Sequence, residues 1–258
     1  MAGWFQRRPL VSSEFADFAF DCFAWMLRNT RGFHSLELVV PTDEFFPLKN
    51  LSGDELAVAL FEVVKQHAGM SHWPCRLERQ QRDPEQWVAS TVVVKNAPAG
   101  PAGTFSRRQE GVVISYNPRL DPASLVATFA HELAHYLTHG FPEEPPGGEA
   151  NHEFATDVGS VFLGFGLFAA NSCFQFNQFT ALDSRGWSYR RQGYLAEPDL
   201  LYALAIFAAL RGVAPDRVRA HLKPHLRGSY KRACREVAAR GDRLELLKSV
   251  KSVLGPAV

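Results

Sequence analysis

The 258 residues are 46% hydrophobic and 21% charged, with a formal net charge of +1. These proportions suit a chain that buries a substantial core and give no general attraction to nucleic acid or membrane, so neither partner is expected. The four cysteines, Cys22, Cys75, Cys173 and Cys234, are far apart and form no C-x-x-C pair, so they suggest neither a disulfide scaffold nor a thiolate zinc knuckle and fit a reducing cytoplasm.

The opening "MAGWFQRRPLVSSEF" has no apolar run behind its arginines, so no secretory signal is expected and a cytoplasmic location is. "SSEFADFAFDCFAWMLRN" reads as a helix with a serine cap and Phe15, Phe18, Cys22 and Met26 at helical spacing. "NLSGDELAVALFEVVKQHAG" reads as a second helix, with Ser52 and Glu55 in capping-box spacing. "LELVV", "CRLERQ", "WVASTVVVKN" and "GVVISYN" read as strands of a small sheet. "NAPAGPAGTFSRRQEG", rich in Gly, Pro and Ala, reads as a long loop. Asp121 as N-cap, Pro122 at the first helical position and Gly140 as a stop delimit a third helix. "FPEEPPGGEA" breaks it, and everything beyond "NHEF" reads as mainly helical. "VGSVFLGFGLFAA" and "LLYALAIFAAL" are shorter than the roughly 20 residues of a membrane span and read as buried core helices.

The third helix contains "HELAHYLTHG". Residues four apart on a helix differ by only about 40° around its axis, so His131 and His135 share a face. Two neutral imidazoles suit a zinc ion, and the intervening Glu132 can reach a metal-activated water without becoming a ligand. Catalytic zinc usually takes a third protein ligand. His139 has rotated about 80° from His131 and is expected to complete the helix C-terminus instead. Glu153 and Asp157, four apart in "NHEFATDVGS", are the better source: Glu153 as ligand, with Asp157 accepting the second ring N–H of a ligating histidine.

"HELAH", a short connection and "EFATD" together resemble the gluzincin zinc metallopeptidases, whose pattern is H-E-x-x-H followed on a second helix by E-x-x-x-D. The likeness is strongest over residues 111–170, where "GVVISYN" resembles the substrate-binding edge strand of such enzymes. It implies His131, His135 and Glu153 as ligands of Zn2+, Glu132 as general base, Asp157 behind a ligand, and a peptide or protein substrate whose amide bond a metal-activated water hydrolyses. The length points to a compact member. The expected fold is α+β, a small mixed sheet with an edge strand packed on the H-E-x-x-H helix, followed by a mainly helical C-terminal region. A single domain over 1–258 is expected, with helices and sheet in 1–120, the zinc helices in 121–170 and helices in 171–258.

Amide hydrolysis usually needs an oxyanion donor besides the metal, and Tyr189, Arg190, Arg191 and Tyr194 offer one; Tyr194 is the choice among them. His221 and His225 read as part of an exposed basic segment. Residues 211–258 hold 12 Lys or Arg against 4 Asp or Glu, chiefly a solvated helix surface. The alternative to an enzyme is a zinc-containing binding or regulatory module that docks an acidic protein partner through this basic region.

Overall fold

The computed structural model describes residues 8–80, 86–89, 92–94, 103–108, 111–180 and 195–252. Helix α1 spans Ser13–Asn29 because Ser12 caps it, its hydroxyl accepting from the Phe15 amide at 3.2 Å. The apolar residues of α1 then fall on one face, with Phe20, Cys22, Phe23, Trp25 and Met26 all buried. Helix α2 spans Gly53–His67 and starts where expected, but the Ser52 side chain makes no cap hydrogen bond, so the capping-box spacing is present without its bond. Acidic Asp54 and Glu55 in its first turn suit the positive end of the helix dipole.

Strands β1 (Cys75–Arg79), β4 (Gly103–Arg108) and β5 (Gly111–Tyr116) form a mixed sheet in the order β1-β5-β4. The strand β1 runs parallel to β5 with Cys75 opposite Val112, and β4 runs antiparallel to it with Gly103 opposite Tyr116. Strands β2 (Gln86–Ala89) and β3 (Val92–Val94) pair antiparallel by themselves.

Four sequence expectations change here. "WVASTVVVKN" is two paired strands rather than one, since alternation alone cannot distinguish a long strand from a hairpin. "GVVISYN" is the central strand of its sheet; the edges are β1 and β4, the latter from the segment expected to be a loop. Thr104 and Phe105 supply strand-forming side chains that the surrounding glycines and prolines outweigh in composition. "LELVV" is extended but joins no strand among the described residues. Leu38, Val39 and Val40 are consecutively buried against helices, and the Val39 amide donates to the Gly164 carbonyl at 3.0 Å.

Helix α3 (Pro122–His139) lies against β4 and β5 and is almost wholly buried. The Asp121 carboxylate accepts from the Ala123 and Ser124 amides at 3.0 and 3.2 Å. A helical run then passes through α4 (His152–Ser160), a wide π-type turn at Val161–Phe165 and α5 (Gly166–Thr180). Gly164 enters that turn at a φ of +100°, and a Cβ there would collide with the Glu37 carbonyl, so only glycine fits. The stretch Glu149–Cys173 is long and apolar enough to cross a membrane by length and composition, yet 83% of its apolar window is buried inside the fold.

Helices α6 (Glu197–Arg211), α7 (Pro215–His221), α8 (Leu226–Ala238) and α9 (Gly241–Ser249) complete the α+β architecture. Part of the C-terminal basic excess is spent inside the molecule: Arg240 meets Asp17 at 2.7 Å and Arg243 meets Asp21 at 2.7 Å, binding the α8–α9 region to α1.

Candidate metal centre

Helix α3 presents His131 and His135 one turn apart, and α4 crosses it closely enough to bring Glu153 to them. The close approach depends on Gly159, where a Cβ would stand 3.0 Å from the Cβ of Ala134 and 3.2 Å from Met26 Cε. The His131 and His135 Nε2 atoms are 3.1 Å apart, and Glu153 Oε2 lies 3.5 Å from the first and 3.3 Å from the second. A tetrahedral ion about 2.0–2.1 Å from each ligand sets ligand atoms roughly 3.3–3.4 Å apart, so this triangle has the size zinc requires.

The protonation of the rings agrees. His131 Nδ1 lies 2.9 Å from Asp157 Oδ1, and an ionised carboxylate only accepts, so the ring proton sits on Nδ1. The Thr156 hydroxyl donates to the His152 carbonyl at 2.9 Å and accepts from His135 Nδ1 at 3.3 Å. With the Nδ1 atoms so engaged, both rings turn Nε2 toward the Glu153 carboxylate, and loss of any Nε2 proton to a bound cation would leave three facing donors.

The electrostatics point the same way. Burial works to lower His131, but hydrogen bonds to Asp157 and Glu153 overcome it and push the ring up to about 10. Burial works to raise Glu153, but the two imidazoles hold its carboxyl well below the usual range. The fixed groups thus favour positive charge among them.

Glu132 is buried at 4% exposure and stands outside the ligand triangle. Burial raises its carboxyl to about 7, the neighbouring Glu153 charge adding to the rise while His131 and the Phe105 backbone N–H oppose it. Strand β4 closes over this carboxylate: a Cβ on Gly103 would lie 3.0 Å from Glu132 Oε1. The Phe105 ring lies nearly parallel to that of His135, with centroids 6.4 Å apart.

Sequence reasoning assembled His131, Glu132, His135, Glu153 and Asp157, and the fold brings them together. Asp157 holds a second bond, accepting the Leu195 amide at 2.6 Å on Oδ2. His139 lies outside the triangle, its ring against Phe105. His225 faces Glu197 at 3.2 Å and joins no metal-ligand group among the described residues. Tyr194, with Tyr189, Arg190 and Arg191, lies outside the described residues. Sequence reasoning missed Thr156, Gly159, Gly103 and Phe105. The first two sit within and just after "EFATD", where the i+4 geometry that placed Asp157 also bears on its neighbours. No known protein family, curated protein or solved structure matches the chain.

Proposed function

We propose that the chain is a zinc-dependent peptidase of gluzincin type, in which His131, His135 and Glu153 hold the ion and Glu132 is the general base. The observation that carries this reading is the pairing of a zinc-sized triangle of two imidazoles and a carboxylate with a second, buried carboxylate on the next residue of the same helix. A structural zinc site closes its fourth position with a protein ligand and has no use for that carboxylate. Zinc held by His131, His135 and Glu153 would supply Lewis acidity toward a carbonyl oxygen and would acidify a water molecule.

The chain's own groups do the rest. Glu132 takes the proton of the attacking water on its carboxylate and returns it to the leaving amine. Asp157 and Thr156 engage the Nδ1 atoms, so both Nε2 atoms stay turned toward Glu153, where they would hold the ion. The strand β4 pairs with no strand on its outer side among the described residues, and an extended peptide can add there by backbone hydrogen bonds.

The test is Glu132→Gln, which preserves side-chain size while removing the proton acceptor. Both proteins are incubated with a diverse peptide library, and new termini are read by mass spectrometry with a chelator-treated control. One equivalent of zinc is expected in each, with cleavage reduced about 10²–10⁴-fold in the variant. Equal cleavage by both would overturn the assignment.

A further inference from the structure

We propose that the outward face of α8 docks a short acidic helical segment of a partner protein. This surface contains no residue of the candidate metal centre, so the inference goes beyond the peptidase reading and does not rest on it.

Helix α8 is strongly two-sided. Leu226, Tyr230, Ala233 and Val237 are buried, and at about 100° per residue their sector is centred roughly 130° from Lys231. Arg227, Lys231 and Arg235, each four residues from the next, form an exposed row on the other side, and Lys223 stands exposed just before the helix. Gly228 and Ala238 share that side and are exposed as well, and a Cβ on Gly228 would meet nothing within 4 Å. No acidic residue of α8 falls within about 60° of Lys231 around the axis.

The surrounding charges separate by partner. Arg219 meets Asp216 at 2.7 Å, Lys248 meets Glu245 at 2.7 Å, and Arg240 and Arg243 reach Asp17 and Asp21. Glu236, on α8 itself, accepts the Leu10 amide at 2.9 Å and faces Arg232 at 3.8 Å. By contrast, Lys223, Lys231 and Arg235 have no acidic partner among the described residues. Arg227 donates its Nε to the Leu222 carbonyl at 2.9 Å, which orients the guanidinium without neutralising it. Like charges four apart on a helix repel. An anionic partner relieves that repulsion.

The distribution of charge selects the kind of anion. Residues 211–258 hold 12 Lys or Arg against 4 Asp or Glu while the whole chain sums to +1, so the remaining residues sum to −7. A nucleic-acid duplex, with one charge per roughly 1.7 Å of its length, or an anionic membrane would lay negative charge against that remainder. A short segment stays within the roughly 8 Å over which the row acts in physiological salt. The row also offers no large apolar side chain to anchor in a membrane. Spacing selects the form: glutamates at every fourth position of a helix recur about every 6 Å, as Arg227, Lys231 and Arg235 do.

The experiment titrates the full chain, by amide NMR, with an alanine-based helical peptide carrying glutamate at every fourth position. Comparison ligands are an isomer with the same glutamates spread around its helix, a DNA duplex and phosphatidylserine vesicles. Saturable binding of the first peptide is expected, with Kd below about 1 mM at 0.1 M salt and at least about fivefold weaker at 0.5 M salt. Shifts should centre on α8 and spare His131 and His135, and chelator should leave the binding unchanged, which separates this surface from the metal centre. The double substitution Lys231→Glu, Arg235→Glu should weaken binding at least about tenfold. If that variant does not fold, Lys231→Gln, Arg235→Gln should weaken it at least about threefold. Equal binding of the isomer, tighter binding of the duplex or the vesicles, shifts centred away from α8, or no saturable binding at millimolar peptide would each overturn the proposal.

Discussion

Thr156 shows how a single hydroxyl can decide which nitrogen of an imidazole faces a metal. Its proton is committed to the His152 carbonyl, so it receives the proton of His135 Nδ1. Thr156→Val keeps the shape and removes the bond. We expect zinc affinity to fall about 10–100-fold, with Thr156→Ser restoring most of it, as measured by competition with a chromophoric chelator. Asp157→Ala should fall in the same range, whereas His139→Ala should leave zinc occupancy unchanged. At this scale the sequence was informative wherever chemistry demands a fixed spacing: H-E-x-x-H and E-x-x-x-D put their residues on shared helical faces whatever surrounds them. Thr156 was illegible because a threonine in a helix more often bonds its own backbone, and here it does that as well.

Between the elements, the contacts that matter were hidden from local pattern. The caps of α1 and α3 depend on neighbours three residues away and were readable, as were the boundaries they set. The strand β4 was not, because its role comes from pairing with β5 and lying over Glu132, not from its own composition. Gly103→Ala tests that placement: the new Cβ would meet Thr128 Cγ2 at 2.5 Å and the Ser115 carbonyl at 3.0 Å. Displacement of β4 should cost about 1–3 kcal/mol of stability and reduce peptide cleavage while zinc stays bound. A second link joins β5 to α2, where the Tyr116 hydroxyl donates to Asp54 at 2.8 Å. That bond, helped by Arg79, lowers the Asp54 carboxyl, while burial and then Asp54 push Tyr116 up to about 12. A depressed carboxyl stabilises above its unfolded pKa and loses the effect as pH falls through its folded value; a raised phenol stabilises below its unfolded pKa and loses the effect as pH rises through about 12. Tyr116→Phe should therefore lower the melting temperature at neutral pH, and the difference should fade as pH falls below the usual aspartate range.

For the whole molecule, the candidate metal centre joins two helices of one continuous hydrophobic core that runs from α1 to α9. A ligand that binds only the folded state adds about 4 kcal/mol when present at a thousand times its dissociation constant. Saturating zinc should accordingly raise the melting temperature, chelator should reverse the gain, and Glu153→Ala should abolish most of it, all read by calorimetry. The α+β class was visible from the succession of strands and helices. The packing of α8 and α9 on α1 was not, because Asp17 and Asp21 reach arginines more than 200 positions away, a separation that no local periodicity records.

The bond from the Leu195 amide to Asp157 gives the candidate centre a built-in reporter. One carboxylate serves two clients, the ring of His131 through Oδ1 and a backbone N–H through Oδ2. Whatever draws electron density toward His131 alters how strongly Asp157 holds that amide proton. A single nitrogen-15 resonance, at Leu195 just before α6, should thus move when zinc is added, and its deuterium exchange should slow as occupancy rises. Bonded directly to Asp157, that one signal would read the centre in the intact protein.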